Sequence, residues 1–377
     1  MPSVPSMSAT TKTAHHFNSY VCELPQDEAN YPQAVRSSCQ AFVDTSPVTI
    51  SDKCIDNFLT SLDKDQYEKL AYDSTMKMPL KFETIEDEIN FVALIDLLNF
   101  GSGYRIPLHE LAGRGAFDTI RFGCMSFHIG GKPMTAEALK NMTIFEVAEA
   151  FQIPIDTEVR HEKLDFVTVT EPTPLKPFAA GLTAVLNTTG DFLLNNNYKD
   201  LASFIMEHVK KHPQNAVSLV GHLTKALPGL HDCYQFSANE SPVYLFKKAQ
   251  IIVYHLWFTF KEQVPDLFDF KDIDELTVFS DNVIPTMLIH LGVITNVPEA
   301  WQDDIDKNKD LSVKAATTLR AAAVVACEEI VRKARSGLGP VNETMTTGGL
   351  DVYLWQLGKV GDFRKIHRFQ LRDTVMF

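Results

Sequence analysis

Three aspartates, Asp96, Asp281 and Asp351, stand in surroundings that could put a carboxylate to chemical use. Asp96 lies in "INFVALIDLLNFGSGYR", on the same helical stripe as Ile89, Val92 and Ala93. A carboxylate on so apolar a helix faces burial, and burial demands a partner or a task. Asp281 lies in "ELTVFSDNVIPTMLIHLGVI", after the extended stretch of Thr277, Val278 and Phe279 and ahead of a helix whose first turn tolerates Pro285. Asp281 or Asn282 would cap that helix by accepting free backbone N–H groups. The same position also suits an ionised carboxylate, favoured by the helix dipole and walled by Phe279, Val283 and Ile284, that stabilises a cationic transition state. Asp351 lies in "TTGGLDVYLWQLGK", where it would cap a short helix. Gly348 and Gly349 would leave room for a ligand to approach, and Tyr353 and Trp355 offer aromatic surface. For each aspartate a structural role, as cap or core ion pair, stands beside the chemical one. Two carboxylates in such settings suit glycosyl transfer, where acid/base work and stabilisation of a sugar cation are shared between them.

Other chemistry finds no support. The sequence holds no G-x-S-x-G, H-E-x-x-H, P-loop or G-x-G-x-x-G pattern. "GSGYR" follows a helix rather than a strand, so it is a poor dinucleotide loop. His128, His222 and His290 are scattered as partner-bonded helix residues would be, and His15 and His16 fall in the N-terminal tail. The six cysteines form no CxxC pair, which argues against zinc and against a disulfide framework. A metal-free, cofactor-free site is therefore expected.

Helices must position these residues. Thr84 with Asp87 and Thr143 with Glu146 read as capping boxes, opening helices that run to Phe100 and Phe151. Apolar periodicity predicts further helices over Ile55–Leu62, Phe117–His128, Tyr198–Lys211, Val217–Leu227, Val243–Lys261, Asn282–Leu291, Ser312–Arg335 and Asp351–Leu357. Strand-like alternation is clearest at Phe369, Leu371, Asp373, Val375 and Phe377, and loops are expected at Gly101–Gly115 and Ser336–Gly349. No βαβ rhythm or internal repeat appears. The expected fold is mainly α: a disordered tail over residues 1–20 and a single helical domain over 21–377.

Composition narrows the partners. With 45% hydrophobic and 22% charged residues, the chain reads as soluble and globular. A net charge of -13 argues against a nucleic-acid surface, which needs clustered Lys and Arg. The most apolar segment, Tyr244 to Phe260, is interrupted by Lys247, Lys248, Gln250 and His255, so no membrane span is expected. The N-terminal residues carry no signal-peptide or transit-peptide pattern, and a cytoplasmic setting is expected.

Seven motifs in order resemble one known family: "LIDLLNFGSGYR", "GRGAFDTIRFGCMSFHI", "LNTTG", "YLFKKAQ", "LTVFSDNVIP", "LDVYLWQLGK" and "RDTVMF". From about Asp52 to the C-terminus the chain resembles the queuosine salvage family of queuosine 5'-phosphate N-glycosylases. The resemblance implies a helical fold similar to helix-hairpin-helix DNA glycosylases. It also implies hydrolysis of queuosine 5'-monophosphate to queuine and ribose 5-phosphate, with that nucleotide as the small-molecule partner. The family's catalytic carboxylate falls on Asp351, and its base-binding pair falls on Phe279 and Asp281. Departures from the pattern are Met78 before Pro79-Leu80, where relatives carry His, and Val352 and Gln356, where one branch has Tyr and Asp. His255 stands where an acidic residue is common. Lys247 and Lys248, with Arg364, Arg368 and Arg372, are the candidates to hold the phosphate. Asp96, Val352, Gln356 and Met78 complete the expected substrate surroundings.

Overall fold

Side-chain caps set where many of the helices begin. In the computed structural model, which describes residues 20, 22–26, 30–72, 79–161, 163–342 and 344–377, both anticipated capping boxes close. Thr84 Oγ1 accepts from the Asp87 amide while the Asp87 carboxylate accepts from the Thr84 amide, opening the helix Ile85–Leu97. Thr143 and Glu146 repeat the arrangement before Ile144–Phe151. The predicted helices are present as Asp52–Ser61, Ala116–Ile129, Leu201–Lys211, Ala216–Ala226, Lys247–Phe260, Val283–His290, Val313–Arg335 and Thr347–Leu357. The chain is mainly α. Its strands form three two-stranded antiparallel pairs among the described residues, the longest a hairpin of Asp156–His161 with Leu164–Pro172.

Six helices frame the site. The 23-residue helix Val313–Arg335 is lined with buried Ala315, Ala316, Ala321, Ala322 and Ala323, so its neighbours approach closely. Those neighbours include Tyr31–Asp44, Val283–His290 and Thr347–Leu357. Lys247–Phe260 packs separately against Ile85–Leu97. Buried hydrophobic residues from Tyr31 to Phe377 form one contiguous cluster beneath these elements, the main source of stability by removal of apolar surface from water.

Several expectations are corrected. Asp351 does not cap a helix: the helix starts at Thr347, its N-cap is Thr346, whose hydroxyl accepts from the Gly349 amide, and Asp351 lies one turn inside. Gly348 and Gly349 serve packing instead of ligand approach. A Cβ on Gly348 would sit 2.3 Å from the Tyr254 ring, and one on Gly349 would crowd Thr346 and Tyr67. The stretch from Phe369 to Phe377 is not a strand; apart from one bridge between Asp310 and Gln370 it forms no β pairing among the described residues. Its alternation reflects burial of Phe369, Leu371, Val375 and Phe377 against the body. The expected loop Gly101–Gly115 contains a 3-10 turn at Ser102–Tyr104 and the helix Arg105–Ala112. Met78 and nearly all of the expected tail lie outside the described residues.

Candidate active site

The loop from Thr277 to Asn282 carries Phe279 and Asp281, and four separate elements pin it. Gln250, buried on the helix Lys247–Phe260, accepts from the Thr277 amide at 2.8 Å and donates to the Thr277 hydroxyl at 2.9 Å. Arg320, on the long alanine-rich helix, donates Nε–H to the Ser280 carbonyl at 2.8 Å, and the Ser280 hydroxyl returns a bond to the Arg320 carbonyl. Asn282 donates to the Phe369 carbonyl at 3.0 Å. Asp351 Oδ1 accepts from the Phe279 amide at 2.8 Å. A loop bound at so many backbone atoms holds its side chains without rearrangement, as a preorganised site requires.

Beneath the loop lies a fully buried ion pair. Arg320 meets Asp232 in a two-point fork, Nη1 to Oδ1 at 2.9 Å and Nη2 to Oδ2 at 2.7 Å. Asp232 Oδ2 also accepts from the Lys247 amide at 3.1 Å, so one carboxylate fixes both the start of the Lys247 helix and the arginine that holds Ser280.

Two cavities adjoin above this frame and share Asn99, Phe117, Lys247, Asp281 and Trp355 in their walls. The inner chamber, about 50 Å³, is closed by Ile251, Phe279, Ile284, Val352, His255 and Asp351. The outer basin, about 270 Å³, is ringed by Arg105, His109, Lys359, Arg364 and Arg368. Phe117 and Trp355 meet edge to face at 5.4 Å where the cavities join, and the Lys359 ammonium lies 3.1 Å above the Trp355 ring.

The electrostatics of the two spaces differ. Burial pushes the Asp351 carboxyl up to about 7, with Asp281 adding to the rise and the Phe279 N–H and Lys247 opposing it. Asp281 is half-buried and accepts from the Val283 amide at 2.6 Å, so it does cap the following helix as expected, although Asn282 occupies the N-cap position. In the basin, burial and the neighbouring Arg105 draw Arg368 down to about 10. Arg105 is lowered too, by burial and by Arg364. Among the described residues, no carboxylate forms an ion pair with Arg105, Arg364 or Arg368. Each of Arg105 and Arg368 donates to one backbone carbonyl, of Arg364 and Gly358, and keeps other N–H groups free for an anion.

Several residues anticipated from the sequence meet here: Asp351, Asp281, Phe279, Val352 and Lys247, with Arg364 and Arg368. Lys247 Nζ is itself bonded to the Asn99 carbonyl and side-chain oxygens, at 2.7 and 3.0 Å. Asp96 is fully buried behind the chamber and bonds His255 rather than lining it. Gln356 is buried and lines neither cavity. Lys248 is buried on the Leu97 carbonyl, and Arg372 forks onto Asp310, so neither reaches the basin. Arg105, His109, Asn99, Phe117 and Lys359 were not anticipated. Arg105 and Phe117 stand inside the quoted motifs, where an arginine after "GSGY" and an aromatic beside Asp118 were the available signals. No group of three or more His, Cys, Asp or Glu among the described residues is placed to hold a metal ion, and no described helix is long and apolar enough to cross a membrane.

Comparison with known proteins adds a family. A family model described as queuosine salvage protein matches residues 138–374. A queuosine 5'-phosphate N-glycosylase/hydrolase from Sphaerobacter thermophilus is 28% identical over 177 residues, which is 46% of this chain and 51% of that protein. The protein of the same description from Bos taurus is 23% identical over 197 residues, covering 50% of this chain and 52% of the other. That from Dictyostelium discoideum is 30% identical over 156 residues, covering 41% and 46%. The chain thus spans about half the length of the curated relatives it matches.

Proposed function

This chain belongs to the queuosine salvage protein family, and from that premise we propose that it hydrolyses the N-glycosidic bond of queuosine 5'-monophosphate to release queuine and ribose 5-phosphate. The observation that carries the reading is the junction of a cationic basin with an apolar, aromatic chamber at two carboxylates. The basin accepts a phosphate, the chamber accepts a flat base, and the ribose bridges them beside Asp281 and Asp351.

Cleavage of the C–N bond leaves positive charge on the sugar and negative charge on the base. Asp351 in its ionised form stabilises that sugar cation or attacks it. A buried carboxylate is effective there because little water competes for its charge. Its raised pKa reflects the cost of holding a charge away from water beside Asp281. Asp281, with one oxygen on the Val283 amide, turns the other toward the edge of the base as a hydrogen-bond acceptor. Phe279 supplies the stacking surface. We further propose a cytoplasmic setting and one domain over 21–377, the latter supported by the single continuous core of the described residues.

The direct test is incubation with queuosine 5'-monophosphate, following free queuine by mass spectrometry. Folded protein that releases none ends the reading. The basin makes its own prediction: the nucleotide outperforms the nucleoside in kcat/KM, and Arg364→Ala with Arg368→Ala removes most of that advantage. Charge-assisted bonds of about 1.5–3 kcal/mol each correspond to roughly one to two powers of ten per arginine. Steady-state kinetics on both substrates decides it, and a double variant that keeps the wild-type ratio places the phosphate elsewhere.

A further inference from the structure

Asp96 is the least expected charge in the molecule. It is wholly inaccessible, on a helix whose buried residues are otherwise Ile89, Phe91, Val92, Ala93, Leu94, Ile95 and Leu97. Its Oδ2 lies 2.8 Å from Nδ1 of His255. His255 projects from the helix Lys247–Phe260 into the wall of the inner chamber, the same small space that Asp351 and Phe279 line. With Nδ1 committed to Asp96, the free ring nitrogen, Nε2, is the atom left to serve the chamber. A carboxyl group behind an imidazole fixes the ring's orientation, and a ring protonated on both nitrogens turns its Nε2–H to the chamber; burial raises the Asp96 pKa while the bond to His255 opposes the rise.

Resting on the nucleotide N-glycosylase reading above, we infer that His255 is the proton donor to the departing base and that Asp96 is the residue that positions it. The C1'–N bond breaks with its electron pair passing to the base, and the Nε2 proton moves to an acceptor atom on the base edge. Water oxygen bonds C1', the proton it sheds goes to solvent by way of Asp351, and solvent reprotonates His255. Asp351 and His255 therefore act on opposite charges of one transition state. The ionisable groups facing His255 are Asp96 behind it, Lys247 two turns earlier on its own helix, Asp281 and Asp351 across the chamber, and the Cys124 thiol near Asp96, which burial keeps protonated.

The test uses two leaving groups on one sugar phosphate: the natural base, which must be protonated to leave, and 4-nitrophenolate, which leaves as a stable anion. His255→Gln is expected to lower kcat on queuosine 5'-monophosphate by about a hundredfold or more while changing kcat on 4-nitrophenyl riboside 5-phosphate less than about threefold. Asp96→Asn is expected to slow the nucleotide more than the nitrophenyl substrate, a split that loss of packing alone does not produce. Equal losses on both substrates, or no loss on either, overturn the inference. Asp351→Asn separates the two readings. If the wild type cleaves both substrates, Asp351→Asn abolishes both and His255→Gln spares the nucleotide, the N-glycosylase assignment stands and only the His255 assignment falls. A wild type that releases no base removes both.

Discussion

Asp351→Asn is expected to lose turnover and gain stability together. Removing the negative charge that meets the sugar cation lowers kcat by on the order of a hundredfold or more. The amide oxygen still accepts from the Phe279 N–H, so the loop geometry survives. Stability moves the other way because the wild-type carboxyl holds its proton more tightly folded than unfolded, from an ordinary 3.8 up to about 7. The folded protein therefore loses ground as pH rises from about 4 to 7, and above 7 it bears the full cost of a buried charge. At about 1.4 kcal/mol per pH unit, that cost is on the order of a few kcal/mol. The variant should melt above the wild type at pH 8, with the gap closing toward pH 4. Single-turnover rates and melting curves at the two pH values test both halves. A variant less stable than wild type at pH 8 would show that the carboxylate is structural.

The second large effect concerns the pair beneath the loop. Asp232→Ala leaves Arg320 as an unpaired buried guanidinium and strips an acceptor from the Lys247 amide. Breaking a buried pair from one side costs about 3–5 kcal/mol, a large part of a typical protein's net stability. Denaturant unfolding should read that loss, and kcat/KM should fall as well, because Arg320 holds the Ser280 carbonyl next to Asp281. Adding Arg320→Met should restore part of the stability but not the activity, since the uncompensated charge is gone while the loop anchor stays missing. A cost below 1 kcal/mol for Asp232→Ala would mean that water or another group satisfies Arg320.

What could be read from the chain followed how local the physics was. The capping boxes at Thr84 and Thr143 bond within three residues, so their types and spacing contain the whole interaction. The 20-residue helix Lys176–Asn195 escaped because Pro177, Gly181, Gly190 and several threonines weaken any local signal. Its Gly190 exists for a distant neighbour: a Cβ there would lie 2.3 Å from the Lys140 backbone nitrogen. The hairpin Asp156–Pro172 escaped because Phe166, 87% exposed, adjoins Val167 and spoils the alternation. At the site, the motifs carrying Asp281 and Asp351 were legible, but their meeting was not, since no local rule links residues seventy positions apart. The cationic basin was half legible. Lys359, Arg364 and Arg368 stand close in sequence, whereas Arg105 joins them only through folding.

The bond from the Phe279 amide to Asp351 also makes the protein its own indicator. An N–H that donates to a carboxylate is deshielded more strongly by the charged acceptor than by the neutral acid. In an amide correlation spectrum the Phe279 proton should therefore move downfield as pH rises, with a midpoint near 7. A cation bound beside Asp351 should carry that midpoint to lower pH, and in Asp351→Asn the resonance should stand still. One backbone signal would then report the ionisation of the buried carboxylate without any substrate turning over.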